Sequence, residues 1–559
     1  MNSGPAICLG PPVLAGAARI DRFTRAGVWG TQSLPAIFYR HADARGDVLA
    51  LADCGAGAAH DERELSYAEV DRAVRHLAAR FEDCGLKPGD IVAVQLPPVV
   101  EAPVAMLACL GLGFIVCTLP MSWRRMEIEA ALIQIGARAI VTWSDGAGCD
   151  RAMTACAAAF GASSIRYVFA FGACDVDGVT PLRLDTGEEA PRVPRAEFPL
   201  PVDANALALI SWDMTAPEAP RALARSHNEC VGAGMATVLA AALGDGATIL
   251  SPYPLCGLAG IATGFAPWLM TGGLLCLHRP FDPDRWRRQV TVYEPDLVPL
   301  PAALAVALAL ALSDAAGPPV LALVHEAGVA PPPPPAPRDG ARARTIEVLC
   351  LGDTALIARP SGGAGGSPGS AVPLGTIRAA GENGLELLEV RCGAAAAGDA
   401  AGPRALMVAG AAVPSAILTP ASRNAGLRPA GNAEGFVATG HFVRPAAEDG
   451  SVCVVAGNRE TVRVGAAAVA LGELDGLYAS CTGVADAAAI ARADPVMGAR
   501  LVAAVVAEPG ARPDIADIHR QLRVLGAAEF KLPERLLQID FVPRDEAGQV
   551  ARDDIAAQL

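Results

Sequence analysis

Between Leu65 and Glu101 the apolar positions change period, and the change marks a helix followed by a strand. Val70, Val74, Leu77 and Phe81 recur at three- and four-residue steps, which puts them on one helical face. Ser66-Tyr67-Ala68-Glu69 has the form of a capping box, so the helix should begin there. Gly85 ends it and Lys87-Pro88-Gly89-Asp90 makes a turn. The run Ile91-Val92-Ala93-Val94-Gln95-Leu96 then predicts a buried strand, leading to a second helix from about Glu101.

Further strands are expected at Ala139-Ile140-Val141-Thr142 and Ala206-Leu207-Ala208-Leu209-Ile210, alternating with helical segments. That rhythm predicts a doubly wound α/β sheet. The uncharged run Cys256 to Leu277 has about the length of a bilayer span, but Gly257, Gly260, Gly264, Pro267, Gly272 and Gly273 suit a buried helix between tight turns better. The apolar run Leu297 to Leu312 is shorter and contains proline, and it too is expected in a core. Three stretches break the pattern: Pro331 to Pro335, Ser361 to Ser370 and Ala394 to Gly402 read as surface loops, since they bury too little apolar area to offset ordering. From about Gly457, short apolar strands (Leu501 to Val506) and a helix near Ile515 to Leu525 form a small separate unit.

With 559 residues the chain exceeds one ordinary core, so two or more domains are expected. Its 45 basic and 59 acidic side chains give a net charge of -14 without a Lys/Arg-rich block, which argues against nucleic acid or an anionic membrane as partner. The 15 cysteines are odd in number and form no C-x-x-C pair, so buried thiols in a reducing cytoplasm are the expectation. No secretory signal is apparent at the N-terminus. His227, His278 and His325 stand singly, and no H-x-x-x-H pair occurs.

Chemistry is concentrated at the C-terminus. Glu529-Phe530-Lys531-Leu532-Pro533-Glu534-Arg535, then Phe541-Val542-Pro543-Arg544 and Gly548-Gln549-Val550, resemble the C-terminal signature of the adenylate-forming superfamily of acyl-CoA synthetases and aryl-acid AMP ligases. The resemblance, carried also by Leu65 to Glu101, implies a large multi-sheet α/β N-terminal domain (1–456) that binds ATP and an acid. It further implies a small, rotating α+β C-terminal domain (457–559). The family signature ends in Gly-Lys; here Gln549 stands at the lysine position, and an amide cannot neutralise phosphate charge.

The other motifs the resemblance implies are altered too. The phosphate loop corresponds to Asp213-Met214-Thr215-Ala216-Pro217-Glu218-Ala219-Pro220-Arg221, which has no glycine and carries two acids. Arg221 beside those acids is expected in a surface ion pair. The Gly-x-Thr-Glu segment appears as Gly352-Asp353-Thr354-Ala355, with alanine at the magnesium-ligand position and Asp353 as a substitute only after a backbone shift. Thr-Gly-Asp, whose aspartate grips ribose, becomes Thr439-Gly440-His441. In the hinge, Asn458 replaces the family arginine and Arg459 is the candidate to fill in. The implied acid pocket includes Cys256, Gly257 and Gly328; it lacks the asparagine that reads a ring hydroxyl, and Cys256 is expected to be core rather than nucleophile.

Three functions remain open from these residues. One is a homologue of ATP-dependent acid ligases that lacks ordinary adenylation and binds an acyl ligand, acyl thioester, carrier protein, CoA or partner subunit. A second is an active acid-CoA ligase whose ATP and Mg²⁺ site uses Arg221, Thr354 and Arg463 or Lys531 for the lost contacts. The third retains only the thioester half-reaction.

Overall fold

The protein is represented by a computed structural model, which describes all residues except 1–9, 56–61, 145–150, 186, 188–189, 216–219, 305–318, 329–343, 362–370, 380–383, 395–401, 420–425, 446–450, 456–459, 466, 495–496, 547 and 559. The three loop stretches expected at Pro331 to Pro335, Ser361 to Ser370 and Ala394 to Gly402 therefore lie outside the described residues, apart from their ends.

Ser66 caps the Tyr67–Asp83 helix through both arms of the capping box: its hydroxyl accepts from Glu69 N–H, and the Glu69 carboxylate accepts from Ser66 N–H at 2.8 Å. Val70, Val74, Leu77 and Phe81 are fully buried along its inner face. The next helix, Glu101–Gly111, is buried at every position, as an all-apolar helix must be. It can be so because it lies between two sheets whose side chains join one core: Val92 and Val94 come from one, Leu51, Leu275 and Val348 from the other.

Among the described residues the strands fall into four sheets. The first runs in parallel through Leu207–Asp213, Ile115–Thr118, Ile91–Val94, Ala139–Ser144 and Tyr167–Gly172, with Arg221–Ser226 added antiparallel beside Leu207–Asp213. The second is parallel through Thr345–Leu351, Val320–Glu326, Leu297–Pro301, Ile249–Ser251, Leu275–Leu277 and Leu49–Asp53, and its edges are antiparallel. These are the α/β layers expected from the sequence. A third, antiparallel sheet includes Glu386–Cys392, Arg404–Gly410, Val437–Pro445 and Ser451–Val455. The fourth contains Thr461–Val464, Val484–Asp494, Gly498–Ala507 and Arg535–Gln538, with the Leu471–Ala479 and Ile515–Leu525 helices; it forms the smaller C-terminal domain.

The run Cys256 to Leu277 is not a span: it folds as short helical pieces, Gly257–Gly260, a π turn at Ile261–Phe265 and Ala266–Thr271, followed by a strand. No helix among the described residues is long and apolar enough to cross a membrane.

Replacing Ser66 by alanine removes the hydroxyl arm of the box, leaving the Ser66 N–H to Glu69 arm in place, and should lower stability of the large domain by about 1 kcal/mol. Urea unfolding followed by tryptophan fluorescence, which reports the large domain's buried indoles, will measure it.

Candidate functional site

Parallel strands present ligands at their carboxyl ends, where the backbone of successive loops converges. In this chain those ends carry acids. Leu207–Asp213 terminates in Asp213, Val320–Glu326 in Glu326, and Thr345–Leu351 enters the tight Gly352-Asp353-Thr354 turn before Ala355–Pro360 returns. Thr439-Gly440-His441 reaches the same place from an irregular point of Val437–Pro445, where the register with the neighbouring strand shifts. Arg463, on the first strand of the small domain, completes the group.

Asp213 organises the start of the altered loop. Its side chain is wholly buried, and it accepts from Thr215 N–H at 3.1 Å, from the Thr215 hydroxyl at 2.6 Å and from Arg221 Nε at 3.1 Å. Arg221 Nη2 also donates to it and, at 3.1 Å, to Ala438 O. The Thr354 hydroxyl lies 3.4 Å away on the same carboxylate. Asp213 is thus an internal hub, not a charge facing an incoming anion. The expected surface ion pair of Arg221 is corrected accordingly, because its partner is inaccessible to water. Glu218, the other acid of the loop, lies outside the described residues.

Thr215 is held from two further sides. Its hydroxyl lies 2.7 Å from Thr439 O, and a Cβ at Gly352 would stand 2.6 Å from its methyl carbon. A Cβ at Gly440 would come within 2.4 Å of its hydroxyl. Gly352 and Gly440 have φ of 58° and 80°, so close approach and backbone both require glycine. The threonine fills the space between two glycine turns.

Both carboxylate oxygens of Asp353 are engaged by protein groups. Arg225, 1% exposed, reaches its carboxylate through Nη1 at 3.4 Å and bonds to its backbone carbonyl through Nη2, while the Ser211 hydroxyl accepts from the same Nη1 at 2.6 Å. The other carboxylate oxygen of Asp353 accepts from Leu258 N–H, and a Cβ on Gly257 would lie 3.0 Å from it. Burial pushes its pKa up and Arg225 opposes the shift. Asp353 as a substitute magnesium ligand is therefore corrected: its oxygens cap the turn at Gly257-Leu258 and neutralise Arg225. Ala355 is buried, and no group of three or more His, Cys, Asp or Glu among the described residues could hold a metal ion.

Glu326 makes the third pair, with Arg463 Nη2 3.1 Å from its Oε2. Burial raises Glu326 to about 7; Arg463 pulls against that, and Asp353 and Asp213 add to it. His441 is 8% exposed, and burial with Arg463 nearby holds its imidazole down at about 4, so it is neutral at pH 7. Its Nδ1 lies 3.3 Å from the Thr439 hydroxyl. Gly328, in the turn after Glu326, has φ of 84° with Val454 against it. Burial pushes the Cys256 thiol up to about 12, which disfavours its thiolate.

Two other positions differ from expectation. Lys531 does not reach toward the acids of this site: it is 8% exposed and lies 2.8 Å from Glu127 and 2.6 Å from Glu473. Its suggested role as a replacement phosphate contact is corrected, since both carboxylates would have to release it. Gln549 is exposed and borders a cavity of about 380 Å³ lined by Glu460, Asp475, Asp486, Arg544 and Arg552 of the small domain. Arg459, with Gly457 and Asn458, lies outside the described residues. The histidines behave as structural groups: His227 Nδ1 accepts from Leu34 N–H at 3.2 Å, and His278 is bonded to Gln289 at 2.7 Å. Glu326 escaped the sequence reading; the available signal was an acid at the carboxyl end of an apolar strand, followed by Ala-Gly.

This architecture and these motif positions define an AMP-dependent ligase type of fold. Residues 38–429 match the AMP-binding enzyme family and 473–549 the AMP-binding enzyme C-terminal domain, and the chain belongs to that family. It is 26% identical, over 95% of its length and 94% of the relative's, to a salicylyl-CoA synthase / salicylate adenylyltransferase of a Streptomyces species. It is 24% identical to the 2-hydroxy-7-methoxy-5-methyl-1-naphthoate–CoA ligase of Streptomyces carzinostaticus, over 96% of this chain and 95% of that one. Among solved structures, the amide bond synthetase McbA of Marinactinospora thermotolerans superimposes with a TM-score of 0.70 at 20% identity, covering 94% of this chain and 99% of that one.

A raised carboxyl pKa carries a definite pH signature. Because the folded value of Glu326, about 7, exceeds its ordinary value of 4.5, its neutral form favours the fold below about 4.5, and that contribution is lost as pH rises through 7. Glu326→Gln should remove this loss. Melting temperature measured from pH 5 to 8 should fall less steeply in the variant than in the unmodified chain.

Proposed function

We propose that this chain is a homologue of ATP-dependent carboxylic acid ligases that lacks ordinary adenylation and acts as a binding module for an acyl ligand, an acyl thioester, a carrier protein or CoA. One observation carries the reading: among the described residues, the site cations Arg221, Arg225 and Arg463 are already paired with Asp213, Asp353 and Glu326 respectively. Drawing Arg221 or Arg225 to a phosphate would leave Asp213 or Asp353 without its partner, which costs several kcal/mol per pair. Thr215 and Thr354, the remaining hydroxyls, are turned onto Asp213. The residues present do not fit a magnesium-bound triphosphate, and no catalytic step is assigned through one. In this reading the large domain ends at residue 456, the small domain begins at 457, and Cys256, Gly257 and Gly328 border the acyl pocket.

A second reading, an active acid-CoA ligase with a non-standard ATP site, is favoured by the end-to-end similarity to two chains named as CoA-forming enzymes. Calorimetric titration with Mg-ATP, followed by pyrophosphate exchange across a panel of aryl and acyl acids, separates the two. The binding-module reading expects no heat beyond dilution and no exchange. A preformed acyl-adenylate supplied with CoA tests for a surviving thioester half-reaction.

Repair should need several positions at once. Gln549→Lys alone is expected to leave pyrophosphate exchange at background, because an added ammonium cannot act on a phosphate that nothing positions. Exchange should rise only when it is combined with Ala355→Glu, His441→Asp and a glycine-rich replacement of residues 213–219. Turnover restored by the single lysine would establish a competent nucleotide site in the natural chain.

A further inference from the structure

Two helix ends face each other across the seam between the domains. The Arg125–Ile135 helix begins with amides that have no acceptor within the helix, and the Ile515–Leu525 helix ends with carbonyls that have no donor. They supply one another: Met126 N–H donates to Gly526 O at 3.1 Å, and Arg125 Nη2 donates to Leu525 O at 2.7 Å. The positive end of one helix dipole thereby meets the negative end of the other. Gly526, with φ of 86°, admits this approach; a Cβ there would stand 2.7 Å from Arg125 Cβ.

Glu127 ties the junction to a buried cation. Its Oε2 accepts from Arg124 N–H at 3.0 Å and so caps its own helix. Its Oε1 lies 2.8 Å from Lys531 Nζ, whose other neighbour, Glu473, is at 2.6 Å in the first turn of the Leu471–Ala479 helix. Glu127 and Lys531 are 7% and 8% exposed, so this is not a solvated surface pair. Met126 packs against the small-domain core beside it.

We propose that this junction is a clasp that holds the small domain in one orientation, the one in which Gln549 borders a cavity of its own domain, and that Glu127 is its positioning residue. The clasp shares no residue with the three acid–arginine pairs, and its readout, exchange of one amide, is separate from the Mg-ATP titration that tests the proposed function. Removing one partner of a buried pair exposes the other to an uncompensated environment, which weakens docking without touching either core.

The Met126 amide reports the clasp directly, because its acceptor belongs to the other domain. Hydrogen exchange of the full chain, read by mass spectrometry with residue-level fragmentation, should find this amide protected. Glu127→Gln and Lys531→Met should each speed its exchange by about tenfold or more while the Leu522 amide, inside the small domain, keeps its rate. Lys531→Arg should restore protection, and small-angle scattering should give a larger radius of gyration for the two weakened variants only. Lys531→Met leaves the helix cap of Glu127 intact, so faster exchange there is not fraying of that helix. Should Leu522 reveal unfolding in Lys531→Met, Glu127→Gln on the large domain carries the test. Exchange of Met126 at the free-chain rate in the unmodified protein, or at an unchanged rate in Glu127→Gln, overturns the proposal.

Discussion

A carboxylate withdrawn from water has to be neutralised and hydrogen-bonded, and the candidate site is built around meeting that requirement for Asp213. Its position at the end of a central parallel strand leaves it no access to solvent. Arg221 and Thr215 of the altered phosphate loop and Thr354 of the Gly352 segment converge on it in consequence. Once those groups are committed, Thr215, the Gly352 turn and the Gly440 turn are fixed relative to one another. Asp353 with Arg225 and Glu326 with Arg463 repeat the pattern at neighbouring strand ends. A surface that in other members of an AMP-binding fold would be expected to present free donors presents satisfied pairs.

Arg463 also makes the site a property of both domains. Its strand follows directly on the segment between the domains, so the charge balance around Glu326 depends on where the small domain sits. Arg552 provides a second kind of coupling: its guanidinium binds Glu460 and Asp475 and the Ala489 carbonyl together, which joins the C-terminal tail to the beginning of the small domain. With every nitrogen engaged, the tail that bears Gln549 moves with that domain as one body.

Much of the framework was legible in the sequence because it rests on short-range rules. The Ser66 capping box, the stripe from Val70 to Phe81, the buried strand from Ile91 and the helix from Glu101 are all local patterns with one physical solution. The antiparallel third sheet was not legible. Its strand Arg404–Gly410 carries two alanines and a glycine among its seven residues, so the alternation that marks a half-buried strand is faint there. The altered motifs were found by position, but their partners were not: Asp353 belongs to Arg225, and Lys531 to Glu127, through contacts that only the folded chain creates. An acidic residue in a motif reads equally as a repelling charge or as half of a pair, and burial decides which.

The wedge formed by Thr215 between Gly352 and Gly440 constrains the order in which this site can change. While the threonine remains, neither glycine can acquire a side chain, because each would meet it at well under contact distance. If Thr215 is reduced to glycine first, both turns lose their packing partner and Asp213 loses its hydroxyl donor. Routes between this sequence and one with an open loop therefore pass through position 215, and the intermediate there is less stable than either end. Substitutions at these three positions are expected to be interpretable only in combination, and surveys that vary one position at a time would record all three as intolerant.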